Sequence, residues 1–140
     1  MEARGMGHRE RLRYFVPDTS ILLLIYDGVD VFTEVEELLE AKPQCILLAP
    51  VLRELERLSR SAKPFRRRAA ARLALQVALR RCRVVDYPGD VADDAIVEYV
   101  SRNPEAVAAT ADMGLLRRLR MLGIPSIYYR EERHGLEAEL

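Results

Sequence analysis

Apolar residues recur along this chain in two rhythms. Five short runs, Tyr14–Asp18 (YFVPD), Gln44–Ala49 (QCILLA), Arg83–Tyr87 (RVVDY), Ala106–Thr110 (AVAAT) and Ile124–Tyr129 (IPSIYY), are nearly continuous and of strand length. Between them the apolar positions fall at helical spacing. Val31, Phe32, Val35, Leu38 and Leu39 share a face with Glu34, Glu36, Glu37 and Glu40 outside, and Leu52, Leu55 and Leu58 follow Pro50. Further helices are predicted from Thr19, with Thr19 and Ser20 as capping candidates, and over 65–81, 91–100 and 112–122. In the arginine-rich helix 65–81 the apolar positions include Ala69, Leu73, Val77 and Leu79. Strands alternating with helices predict an α/β domain with a central parallel sheet of about five strands, covered by helices on both faces. Residues 14–130 form that domain, 1–13 an N-terminal extension, and 131–140 a polar tail or loose helix.

A length of 140 residues suits one domain. No apolar run spans a bilayer and the charged N-terminus does not read as a signal peptide, so a cytoplasmic protein without membrane attachment is expected. Cys45 and Cys82 lack metal-ligand or framework spacing and read as buried reduced thiols. Net charge is zero, yet residues 53–83 hold eleven Lys/Arg against two Asp/Glu, leaving the rest of the chain at −9. That segregation predicts one basic surface and one acidic site. Arginine far outnumbers lysine, which suits phosphate recognition and is equally what a GC-rich or thermophilic genome gives.

The acidic site has a place in the pattern. Ligands of parallel sheets bind beyond the carboxyl ends of the strands, near a topological switch point. Asp18 interrupts the most apolar stretch of the chain at the end of the first strand. Glu54 follows the second strand, Asp93 and Asp94 the third, and Asp112 the fourth, just after Thr110. Each has an ordinary structural reading as a helix cap, a dipole partner or a surface ion pair. Together they place like charges on one rim, which need a counter-charge. Hard divalent cations such as Mg²⁺ bind such oxygen donors, and no His/Cys cluster calls for zinc.

Four segments in order, PDTSILL, APVLRELERL, VADDAIVEYV and ATADMGLLRRLRMLGIPSI, resemble those of PIN-domain ribonucleases, the family of VapC toxins and archaeal ribosomal-RNA processing nucleases. The resemblance covers residues 14–130, and GVDVF resembles the archaeal branch. It implies that Asp18, Glu54, Asp93 and Asp112 hold one or two Mg²⁺ or Mn²⁺ ions, with Ser20 and Thr110 as supporting hydroxyls and Asp94 as an alternative ligand. It also implies metal-assisted hydrolysis of RNA phosphodiester bonds. The family often has T-N-D where this chain has Thr110-Ala111-Asp112, a departure that implies weaker metal binding. Arg57, Arg60, Arg66, Arg67 and Arg68, with Arg117 and Arg118, are candidates for the phosphate backbone, each with a solvated helix face as its plainer reading. Expected partners are RNA, a cognate antitoxin in the toxin case, and a second copy in a homodimer.

Two other classes compete. A PIN fold acting as a binding scaffold is the principal alternative. A receiver-type signalling domain fits less well, because Asp18 stands without an acidic neighbour and no Lys ends the fifth strand. No glycine-rich phosphate loop supports a nucleotide-binding fold.

Overall fold

The computed structural model describes residues 11–140. Most of the expected N-terminal extension, residues 1–10, lies outside the described residues. The sheet order is β3-β2-β1-β4-β5-β6, with β1 Tyr14–Pro17, β2 Gln44–Leu48, β3 Cys82–Val85, β4 Ala106–Thr110, β5 Ser126–Arg130 and β6 Gly135–Glu139. The first five strands are mutually parallel. Every residue of β4 and all of β2 after Gln44 are buried, as sheet strands covered on both faces must be.

Six helices flank the sheet among the described residues: α1 Thr19–Leu23, α2 Val31–Leu39, α3 Ala49–Ser61, α4 Phe65–Arg81, α5 Ala92–Arg102 and α6 Met113–Met121. Val16, Ile46, Leu47, Leu55, Ile96 and Ile127 are fully buried where these layers meet. Each such side chain contributes about 1.5–3 kcal/mol relative to exposure. The buried side of α4 is Ala70, Ala71, Ala74 and Ala78, whereas Leu79 is 52 % exposed. Small side chains let α4 lie close against α3, because the distance between helix axes follows the side chains at the contact.

Two expectations are corrected. Residues 131–140 are neither a tail nor a loose helix: a short 3-10 turn, Glu131–Arg133, leads into β6, which pairs antiparallel with β5. β6 covers the strand edge that β5 would otherwise leave open, and Leu136 joins the core. Cys45 and Cys82 are not free thiols but form a disulfide. They are Cα partners in the β2–β3 register, 4.5 Å apart, a neighbourhood that their separation of 37 residues does not disclose.

Candidate active site

The chain direction of the sheet divides at β1. From there it extends one way to β2 and β3 and the other way to β4 and β5, so the switch point lies between β1 and β4. Asp18 sits there, directly after Pro17. Its backbone N–H continues the ladder by donating to the Ala109 carbonyl at 2.9 Å. Its side chain caps α1, accepting from the Ile21 N–H at 2.9 Å, a role that Asp18 takes instead of Thr19 or Ser20. Ser20 Oγ donates to the carboxylate at 2.7 Å, and Thr110 Oγ1 donates to its other oxygen. Thr110 Oγ1 in turn accepts from the Asp112 N–H at 2.8 Å, and Ser20 Oγ from the Ala111 N–H at 2.9 Å. The two hydroxyls therefore bind the ends of β1 and β4 into one polar cluster with Asp18 at its centre.

Three further carboxylates arrive from separate elements. Asp112 caps α6 by accepting from the Leu115 N–H at 3.1 Å. Asp93 lies in the first turn of α5 and Glu54 in α3. A cleft of about 420 Å³ is lined by Asp18, Glu54, Asp93 and Asp112 together with Thr19 and Arg67. Asp94 does not line it and pairs with Arg118 at 2.9 Å. The geometry thus brings together the four carboxylates singled out in the sequence and separates Asp93 from its neighbour. Thr19 escaped sequence reasoning: its hydroxyl donates to Glu54 at 2.6 Å and orients that carboxylate from the next helix. Only its position beside Asp18 could have suggested it.

The cleft is short of positive charge. Asp18 is 3 % exposed, and burial pushes its carboxyl up to about 6, with the nearby Asp93 charge adding to the shift against the hydrogen bonds from Thr110, Ile21 and Ser20. Burial also raises Asp93 above the usual carboxylate range, reinforced by Asp112 and Glu54. The donors are all hard oxygens, and the charge imbalance is one that a divalent cation would relieve. On both counts the residues fit Mg²⁺ or Mn²⁺. Among the described residues no three such side chains already stand at ligand distance around one point.

The arginines divide. Arg67 shares the cleft with the carboxylates. Arg57 lies beside Glu54 at 3.9 Å and lines an adjoining depression with Arg53, Glu54 and Asp93. Arg66 pairs with Asp27, Arg68 donates to the Ala62 carbonyl at 3.2 Å, and Arg118 pairs with Asp94. Arg60 and Arg117 are exposed and line neither depression. Arg53, absent from the sequence-derived set, donates to the Gly89 carbonyl at 2.8 Å and so braces the loop that leads to Asp93. His134 bonds the Tyr129 hydroxyl at the β5–β6 turn and is no part of this cleft.

Acidic residues delivered by successive strand ends to a β1/β4 switch point define a PIN-type fold, and residues 15–132 match the family model described as a PIN like domain. The chain belongs to that family. It is 33 % identical over 121 residues to Ribonuclease VapC4 of Methanocaldococcus jannaschii, covering 85 % of this chain and 92 % of that protein. Its structure resembles that of the PIN domain endonuclease Utp24 with a TM-score of 0.74 and 26 % identity, covering 94 % of each chain.

Proposed function

We propose that this chain is a divalent-metal-dependent endoribonuclease, either toxin-like or RNA-processing. The observation that carries the reading is the buried Asp18 at the β1/β4 switch point, with Glu54, Asp93 and Asp112 lining the same cleft. The kinship with a ribonuclease and with a PIN domain endonuclease supports RNA as the substrate.

Asp18, Glu54, Asp93 and Asp112 would hold the Mg²⁺ or Mn²⁺. Such an ion, when bound, activates a water and offsets charge on the leaving oxygen. Ser20 and Thr110 fix the Asp18 carboxylate, and Thr19 fixes Glu54, so two of the four donors are oriented before any ligand enters. Burial favours the protonated form of Asp18, so a divalent cation would compete with a proton for this carboxylate. Arg67 and Arg57 are placed to meet the phosphate backbone from α4 and α3. Arg60, Arg66, Arg68, Arg117 and Arg118 would add at most long-range attraction.

A homodimer, and in the toxin case an antitoxin covering the acidic cleft, complete the proposal. A neighbouring gene for a small DNA-binding protein would assign the toxin role. No helix among the described residues is long and apolar enough to cross a membrane. The proposed compartment is the cytoplasm. The alternative, a scaffold module, is favoured by one observation, the lack of a ready-made ligand point among the described residues. The two readings separate on labelled single-stranded RNA incubated with Mg²⁺, Mn²⁺ or EDTA, beside Asp18→Asn. Cleavage requiring both metal and Asp18 is expected. Neither cleavage nor metal binding by the folded protein would favour the scaffold, whereas metal binding without cleavage would point to a narrow RNA specificity.

A further inference from the structure

Beyond Asp112 the sheet edge carries a second cleft. Ala111, Met113, Arg120, Tyr128 and Glu131 are among the residues that line it. Ala111 and Met113 flank Asp112, which faces the carboxylate cleft, so three consecutive residues serve both depressions. A polynucleotide crossing the carboxylates in this direction meets the second cleft on the far side of Asp112.

The chemistry of the two clefts differs. The Arg120 guanidinium lies over the Tyr128 ring, 5.3 Å from its centroid, and is ion-paired to Glu139. The Tyr128 hydroxyl donates to Glu137 at 3.1 Å. Ring and guanidinium are thus fixed by β6 before a ligand arrives, which lowers the ordering cost of binding. Met113, 52 % exposed, adds an apolar rim. The charges in this cleft are already matched: Arg120 by Glu139, and Arg130 by Glu132 and Glu137. Glu131 is exposed and makes no ion pair among the described residues. A phosphate finds no unmatched cation here. A flat, uncharged ring finds a stacking surface and, in Glu131, an acceptor for its N–H groups.

We infer that this cleft is a nucleobase subsite, which takes one unstacked base of the RNA strand whose backbone lies on the carboxylate cleft. The inference rests on the ribonuclease reading above and deepens it. Tyr128 and Arg120 are the platform, Met113 the rim and Glu131 the edge that favours bases bearing N–H donors over those without.

The test measures affinity for short single-stranded RNAs in which one nucleotide at a time is abasic, with Ca²⁺ present and again in EDTA. The wild type should lose about tenfold in affinity when one particular position is abasic. Met113→Ala/Arg120→Ala should bind intact RNA about as weakly as the wild type binds that abasic strand, and should no longer respond to the lesion. Its salt dependence should remain that of the wild type, whereas Arg67→Ala should flatten the salt slope by about one. Melting curves check that the double variant is folded. Should it not be, Met113→Ala alone, at an exposed side chain, should reduce the abasic penalty about threefold. RNA binding with no position-specific penalty, or with one that persists in the folded variant, would overturn the subsite and leave the ribonuclease reading standing. No RNA binding by the wild type in either condition would overturn both.

Discussion

Two clusters of carboxylates stand on this sheet, and they are built in opposite ways. At the β5–β6 hairpin, Glu137 is hydrogen-bonded by Arg133 and Tyr128 and paired with Arg130, and Arg133 holds it below the usual carboxylate range. Glu132, Glu137 and Glu139 there each have an arginine partner. At the β1/β4 switch point burial raises both Asp18 and Asp93, Asp18 further by the Asp93 charge and Asp93 by Asp112 and Glu54, and among the described residues Arg67 is the one arginine that lines the cleft. The hairpin charges hold a strand in place. The switch-point charges are oriented by Ser20, Thr19 and Thr110 yet outnumber the positive charge beside them, an arrangement that costs stability and makes sense where a cation arrives from outside.

Substitutions should separate the clusters. Asp18→Asn should lower RNA cleavage by about a thousandfold, since several kcal/mol of transition-state stabilisation depends on a correctly held metal. Glu137→Gln should lower cleavage far less, because Glu137 only steadies Tyr128 and the hairpin and lies outside the carboxylate cleft. Equal losses from both would erase the distinction. In stability the ranking changes. Cys82→Ser opens the link between β2 and β3, and should cost about 2–4 kcal/mol in denaturant unfolding, because the cross-link constrains the unfolded chain. A cost well below that range would mean the edge strand is held by its ladder alone.

The pH dependence sharpens the contrast further, because the two shifts have opposite sign. Asp18 binds its proton more tightly folded than unfolded, so metal-free stability should be fullest below pH 3.8 and fall as pH rises through about 6. The loss attributable to this group is about 2–3 kcal/mol and should be missing from Asp18→Asn. Glu137 is shifted down, so its contribution is present above its ordinary value of 4.5 and is lost as pH falls below it. Glu137→Gln should remove that small acid-side component. Its side chain is partly exposed and its arginine partners lie at the surface, so this is the smallest of the changes.

The sequence disclosed the switch-point cluster more readily than the hairpin, for a physical reason. A carboxylate inside YFVPDTSILL conflicts with its own surroundings, and such local conflict is visible without coordinates. The strand–helix alternation and the parallel sheet follow from the apolar pattern, and the grouping of Asp18, Glu54, Asp93 and Asp112 from the strand ends. REERHGLEAEL shows no such conflict. Its charges and single Leu136 read as a tail because what makes it a strand is the open edge of β5, a tertiary fact. The Cys45–Cys82 pairing is hidden likewise, since it depends on β2 and β3 being neighbours in register. The arginine segment was legible as a basic surface, but not that Arg66, Arg68 and Arg118 would be engaged by Asp27, Ala62 and Asp94 while Arg67 faces the cleft. Helical spacing around Phe65–Arg81 left several faces open, and packing against α3 chose the alanine one.

The central claim is that the switch-point carboxylates are kept short of positive charge for a divalent cation. It is tested most directly by titrating Mn²⁺ into the wild type and Asp18→Asn near pH 6 while following melting temperature and proton release. The wild type should gain about 2.7 kcal/mol at a hundredfold excess of Mn²⁺ over its Kd and release protons as the ion binds, and Asp18→Asn should lose most of both responses. An unchanged melting temperature in the wild type, or an equal response in the variant, would contradict the account.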